Sequence, residues 1–161
     1  MAVDMYLKIA GCDGESEDDK HKGWIDILAW SFGISQPGTM HMGGGGGAGK
    51  ASYQDVSCTS YYDKATPKLM QGAATGNHFK DAELVVRKAG GSQLEYINYK
   101  MTDVLITSVS TGGSGGEDRL TCNFSLNFSK LETIYKPQDA KGAVGADIKF
   151  GYDIRENKDL S

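Results

Sequence analysis

Hydrophobic and polar residues alternate with a period of two along much of this 161-residue chain. Such alternation is typical of a strand with one buried face. It predicts strands over residues 3–9, 24–34, 51–61, 81–88, 93–101, 103–111, 120–129 and 148–154. The clearest strand, 120–129, has five apolar side chains on one face: Leu120, Cys122, Phe124, Leu126 and Phe128. Between Lys130 and Glu132 the alternation slips, which predicts a bulge or break before a short strand at 133–136.

One helix is predicted between Thr66 and Gly76. Thr66 can act as the N-cap, Pro67 suits the first helical position, and Gly76 supplies a left-handed stop. A short apolar stripe lies between these signals, and we expect it to pack in the core: Leu69, Met70, Ala73 and Ala74.

Eight or so strands with a single helix predict a mainly β fold, a barrel or sandwich with the helix packed on one side or end. The chain shows no internal repeat and no second domain, so residues 1–161 are expected to form a single domain. The charged segment 13–20 is expected to be a mobile loop.

The strand predicted at 24–34 has one face of decreasing side-chain size. Ile25 and Ile27 are followed on this face by Ala29, Ser31 and Gly33. The opposite face is expected to fill the core with Trp24, Leu28, Trp30, Phe32 and Ile34. A face that becomes small and flat suits a wall that another molecule passes closely.

The outward face of 120–129 carries no charge, and its members are Thr121, Asn123, Ser125, Asn127 and Ser129. The chain has 17 Lys and Arg and 21 Asp and Glu, so an ordinary solvent face should include some. An uncharged polar face is easier to desolvate than a charged one. This face is therefore either a subunit contact or a plain soluble strand face.

Net charge, cysteine spacing and the N-terminal sequence argue against several classes of protein. The net charge is −4 and no stretch combines basic and aromatic residues, which argues against a nucleic-acid partner. Cys12, Cys58 and Cys122 are far apart, which fits neither a disulfide framework nor a zinc site. The N-terminus lacks a signal-peptide core, and no apolar run could span a membrane. We expect folding in the cytoplasm and export, if any, without a cleavable leader.

Two glycine tracts imitate catalytic motifs. The segment Gly44 to Lys50 has the spacing of a phosphate-binding loop, but Ala51 stands where Ser or Thr would bind magnesium. Gly112, Ser114 and Gly116 spell a nucleophile elbow, but between two predicted strands. A nucleotide enzyme or a small hydrolase is therefore disfavoured, and we predict no catalytic and no cofactor-binding residue.

Histidine spacing gives no metal site, because His21, His41 and His78 are scattered along the chain. Met40, His41 and Met42 could bind a soft metal, but an adaptable contact surface is the better interpretation. They lie in a long connection, 35–50, of a length that is usually functional or disordered.

Long stretches of the chain resemble the Hcp family, the inner-tube proteins of type VI secretion systems. They read MAVDMYLKI, IDILAWSFGISQPGTMHMGGGGGAGK, KATPKLM, VVRKAGG, VLITSVSTGGSGGEDRLT and KFGYDIREN. The resemblance implies a two-sheet β-barrel with one helix at its side and a long extended loop. It also implies a homohexameric ring that stacks into a tube, expelled with its sheath and spike partners.

The same resemblance assigns site residues and a cellular course. Ala29, Ser31 and Gly33 would face the lumen and contact effector proteins. The ring-contact loop would comprise Met40, His41, Met42, Gly43, Gly44, Gly45, Gly46 and Gly47. The protein would be structural, not an enzyme, without cofactor, metal, nucleic acid or membrane insertion. It would be cytoplasmic before firing and secreted afterwards. The alternative is a ring-shaped effector carrier that does not polymerise.

Overall fold

A computed structural model describes residues 3–38, 40–41, 49–88, 94–138 and 144–161. These ranges contain one helix, α1 (Thr66–Thr75), and eleven strands. The strands are β1 (Val3–Ile9), β2 (Ile25–Ser31), β3 (Ile34–Ser35), β4 (Ser52–Tyr53), β5 (Val56–Tyr61), β6 (His78–Lys88), β7 (Glu95–Thr111), β8 (Thr121–Asn127), β9 (Lys130–Tyr135), β10 (Ile148–Asp153) and β11 (Lys158–Asp159).

Six strands close into a barrel in the order β7-β6-β1-β2-β5-β8, because β7 and β8 also pair with each other. Strands β9, β10 and β11 extend the sheet outward from β7, and β3 pairs with β4 in a separate ribbon. All of these pairings are antiparallel. The predicted mainly β barrel with one short helix is confirmed.

The core follows the alternation where strands are regular. Cys122, Phe124, Leu126 and Phe128 are all buried, as predicted. Leu120, which precedes β8, is instead 44% exposed. The break predicted between Lys130 and Glu132 is wrong in position, because β9 is continuous from Lys130 and the interruption falls at residues 128–129, between β8 and β9.

The predicted core face of 24–34 is wrong at its start. Ile25 and Ile27 are buried, whereas Leu28 is 40% exposed. Ile27 pairs with Ser60 and Ala29 with Thr59, so Leu28 is the extra residue of a β-bulge. The bulge reverses the facing, and Trp30 and Phe32 beyond it pack against the core as predicted. Ile34, also assigned to the core, is 45% exposed in β3.

The two strands predicted at 93–101 and 103–111 form one 17-residue strand, β7. It bends at Asp103, whose φ is 55°. Strand β7 pairs with β9 up to Thr102 and with β8 from Leu105 onward. The bend therefore transfers the strand from one neighbour to the other. Residues 51–61, in contrast, contain two strands, β4 and β5.

The helix begins one residue earlier than its predicted cap implies. Ala65 is the N-cap, without a side-chain capping bond, and Gly76 ends the helix at φ 71° as predicted. Leu69 is fully buried, but Met70 is 37% exposed, so the predicted apolar stripe only partly faces the core. Among the described residues, no helix is long and apolar enough to cross a membrane.

The segment 13–20, expected to be mobile, is packed. Gly14 and Ser16 are buried and their amides donate to the carbonyls of Gly23 and Trp24, at 2.8 and 2.9 Å. Its charges are partly used internally, because Asp18 binds the buried Arg87. Hydrogen bonds and an ion pair therefore attach this charged segment to the barrel.

Candidate functional site: an uncharged face of the barrel

Eight small, uncharged side chains form a grid on the outer surface of four adjacent strands. The register aligns them in two rows, Ala29–Thr59–Asn123–Ser110 and Ser31–Ser57–Ser125–Ser108. Directly paired residues of antiparallel strands project from the same side of the sheet. We call this grid the small-residue face. It forms a shallow depression of about 290 Å³.

Two β-bulges produce this face. One is the bulge at Leu28 in β2. The other is in β7, where Ile106 pairs with Leu126 and Ser108 with Ser125, so Thr107 is the extra residue. Each bulge reverses the alternation of its strand, because one inserted residue moves the following side chains to the other face. Small residues are thereby turned outward, while Trp30 and Val109 pack against the core.

Hydrogen bonds link the polar side chains of the face to one another. The Thr59 hydroxyl donates to Asn123 Oδ1 at 2.6 Å. The Ser125 hydroxyl lies 2.6 Å from the hydroxyls of both Thr107 and Ser108. These bonds already pair several of the polar side chains of the face with one another. Fewer of them would therefore lose a hydrogen bond to water if another molecule covered the face.

The structure brings together two surfaces that the sequence analysis treated separately. Ala29 and Ser31, predicted to face the lumen, lie beside Asn123 and Ser125 from the uncharged face of 120–129. Gly33 lies beyond the end of β2. A Cβ atom there would be 2.8 Å from Gln54 Oε1, so the absent side chain makes room for Gln54.

Four members of the face were missed: Ser57, Thr59, Ser108 and Ser110. In β5 (VSCTSY) the residues on both faces are small, so the alternation between buried and exposed positions is hard to recognise. In β7 the run Thr107 to Ser110 contains the bulge, which conceals the correct phase.

The predicted ring-contact loop lies mostly outside the described residues. Met42 and the tract Gly43, Gly44, Gly45, Gly46 and Gly47 are all in that part. Met40 and His41 are described, and both are exposed, Met40 at 80%.

The two glycine tracts that resemble catalytic motifs lie next to strands, as the sequence predicts, and not in the strand–turn–helix setting that those motifs need. Ala51 is followed by β4 and not by a helix, and the segment Gly112 to Gly116 connects β7 to β8. Within the described ranges, no three His, Cys, Asp or Glu side chains are grouped to hold a metal ion. Cys12, Cys58 and Cys122 are free and buried, and burial raises the pKa of Cys12 to about 11 and of Cys58 to about 12.

Comparison with known proteins identifies the family. The family model for "Type VI secretion system effector, Hcp" matches residues 6–135. The chain belongs to the Hcp family. It is 55% identical to protein hcp1 of Pseudomonas aeruginosa over 159 residues, 98% of each chain. The predicted resemblance is thus confirmed, and the chain is a type VI secretion system protein.

Solved structures agree with the Hcp assignment. A type six secretion system protein superposes with a TM-score of 0.92 at 34% identity, covering 98% of this chain and 99% of that one. Hcp1 from Salmonella typhimurium gives a TM-score of 0.82 at 37% identity, covering 99% and 100%. The Hcp barrel is therefore shared along nearly the entire chain.

Proposed function

We propose that this Hcp protein is a structural tube subunit. It assembles as a homohexameric ring whose small-residue face lines the lumen and contacts effector proteins. Rings stack into the inner tube that is expelled with the sheath and spike of the secretion system. The protein acts in the cytoplasm before firing and outside the cell afterwards, with no catalytic step of its own. The observation that carries the proposal is the two-row grid without a single charge.

The chemistry of the face suits a channel wall. Small side chains do not obstruct a passing protein, and hydroxyl and amide groups keep the surface wettable. A charged wall would bind oppositely charged cargo and repel cargo of like charge, whereas an uncharged wall does neither strongly. Hydrogen bonds such as that between Thr59 and Asn123 reduce the polar groups available to hold cargo in place.

Ring formation is tested by negative-stain electron microscopy of the purified protein. We expect closed rings with a stained central hole, since a head-to-tail interface whose rotation closes gives a ring. Analytical ultracentrifugation should give the mass of six chains. Uniform monomers at high concentration would contradict the proposal. Rings that never stack would instead favour the non-polymerising carrier.

The lumen assignment is tested by Ser31→Arg, with Ser114→Arg as the matched control in the exposed β7–β8 connection. Each variant is co-expressed with a small effector of the same secretion system and purified. Ser31→Arg should retain rings but lose most of the bound effector, because a long charged side chain enters the channel. Ser114→Arg should retain both. Equal effector retention by the two variants would place the small-residue face elsewhere in the assembly.

The loop carrying Met40 to Gly47 is proposed to contact the adjacent ring or subunit. Support comes from the exposure of Met40 and from the conformational freedom of glycine. The double variant Gly45→Asp and Gly46→Asp should weaken tube formation while leaving the barrel folded, as judged by circular dichroism. Unchanged tube length by microscopy would oppose this role for the loop.

A further inference from the structure

His21 is a buried histidine held between two carboxylates. Its side chain is 2% exposed, with Nδ1 2.7 Å from Asp18 Oδ2 and Nε2 2.8 Å from Glu95 Oε1. The ring stacks on Tyr6 at 4.5 Å between centroids and 7° between planes. Trp24 packs edge-on against it at 4.7 Å. The imidazole therefore has a fixed orientation with a partner at each nitrogen.

The chemistry of this arrangement requires a proton on each ring nitrogen. Ionised carboxylates only accept hydrogen bonds, and a neutral imidazole has one N–H and one lone pair. With Asp18 and Glu95 ionised, the two contacts of His21 therefore need the imidazolium form. Loss of one proton would set a nitrogen lone pair against carboxylate oxygen.

Arg87 keeps Asp18, one of the two carboxylates that contact His21, in its ionised form. Arg87 binds Asp18, with Nη1 3.1 Å from Oδ2, and lies 3.6 Å from Asp4. Burial opposes ionisation of Asp18, but hydrogen bonds from Arg87 and His21 outweigh it and lower its pKa to about 2.

The packed elements contribute these titratable and charged groups: Asp18 from the β1–β2 loop, Asp4 and Tyr6 from β1, Asp26 from β2, Arg87 from β6 and Glu95 from β7. Arg87 contacts two of these carboxylates, Asp18 and Asp4, and His21 contacts Asp18 and Glu95. Asp18 thus joins the two cationic side chains of the cluster.

The contacts of His21 connect distant parts of the chain. His21 belongs to the β1–β2 loop, 74 residues from Glu95, which is the first residue of β7. Asp18 is 16% exposed and also bound by Arg87, whereas the Glu95 side chain is 40% exposed. Glu95 is therefore the partner that can leave for solvent.

We propose that protonated His21 is a clasp that fastens the β1–β2 loop to the start of β7 and opens when rising pH removes its proton. Histidine is the side chain that changes charge near neutral pH. Both hydrogen bonds of the clasp need the imidazolium, so loss of one proton would replace one bond with a repulsive contact. The stabilisation is therefore present at mildly acidic pH and is lost as pH rises.

The first test is nitrogen NMR of the imidazole in the folded full-length protein. At pH 6 we expect both His21 nitrogens to be protonated, and at pH 9 one of them only. Hydrogen exchange should show the loop amides of Ser16 and Gly23 opening about tenfold more often at pH 9, after correction for intrinsic exchange. That ratio corresponds to about 1.4 kcal/mol.

The matched variant is Glu95→Gln, because an amide can accept from the imidazolium or donate to the neutral ring. It should keep the loop closed at both pH values and so abolish the tenfold change. His21→Gln should also remove the pH dependence. A singly protonated His21 at pH 6, or the same pH response in wild type and Glu95→Gln, would overturn the proposal.

Discussion

Asp55 accepts a hydrogen bond from Asn127 Nδ2 at 2.8 Å, next to the second row of the small-residue face. The same carboxylate accepts one from the Thr107 hydroxyl at 2.6 Å, and Thr107 in turn contacts Ser125. Asp55 thus ties the β7 bulge to the end of β8. The bulge that turns Ser108 outward is stabilised by side-chain bonds from a neighbouring segment.

Replacement of Asp55 by Ala should therefore destabilise the barrel. It removes the acceptor of two hydrogen bonds, and we expect the free energy of unfolding to fall by about 1–2 kcal/mol in urea titration. Asp118→Ala, in the exposed β7–β8 connection, is the control and should change it by less than about 0.5 kcal/mol. Similar values for the two variants would show that the Asp55 bonds do not support the bulge.

Gly72 in α1 should not tolerate a methyl group. A Cβ there would be 2.8 Å from Phe79 Cε2 and 3.3 Å from Ile106 Cγ1. Overpacking costs about 1–3 kcal/mol, against about 1 kcal/mol gained in helix propensity. Thermal unfolding should therefore show a lower midpoint for Gly72→Ala. Gly115→Ala, where a Cβ meets nothing within 4 Å, should be nearly neutral. A stabilised Gly72→Ala would mean that Phe79 moves freely aside.

Regular strands could be predicted from the sequence because the local alternation of apolar and polar residues determines which side chains point to the core. Strand β8 keeps one phase, so its buried apolar residues Cys122, Phe124 and Leu126 were predicted correctly. In strand β2 the alternation changes phase, because Leu28 is the extra residue of a bulge that forms only when β2 pairs with β5. Register between distant strands is a tertiary property, and no local pattern contains it.

The candidate site was predictable only in part for the same reason. Ala29, Ser31, Asn123 and Ser125 were recognised by their size or lack of charge. Their union into one face depends on the order β2-β5-β8-β7, which closes the barrel. The His21 cluster joins residues 74 positions apart, and a single sequence read by itself gives no indication of such a contact.

Asp18 should control stability in acid. Its pKa is lowered to about 2, so its stabilising contribution is present above the ordinary aspartate pKa of about 3.9 and is lost as pH falls toward 2. Asp18→Asn should lose at least roughly 2 kcal/mol at pH 7 and show a flatter pH dependence between pH 4 and 2. Urea unfolding at several pH values measures both, with exposed Asp19→Asn as the control. Parallel curves for wild type and Asp18→Asn would refute this role.

The three cysteines should be unreactive in the folded protein. Burial raises the pKa of Cys58 to about 12, of Cys12 to about 11, and that of Cys122 as well. Because the thiolate is the nucleophile, a thiol reagent at pH 8 should modify them only as fast as the protein opens. In guanidinium chloride all three should react within minutes.

The raised pKa of the buried thiols should also make the protein less stable at alkaline pH. Unfolded thiols ionise above about pH 8.5, whereas the buried thiols keep their protons, so the unfolded state is favoured as pH rises past that value. Cys58→Ala removes one such group and should reduce the slope of unfolding free energy against pH between pH 8.5 and 10. Rapid modification of one thiol in the native protein would instead require a site open to solvent. That result would contradict the burial of all three side chains in the barrel.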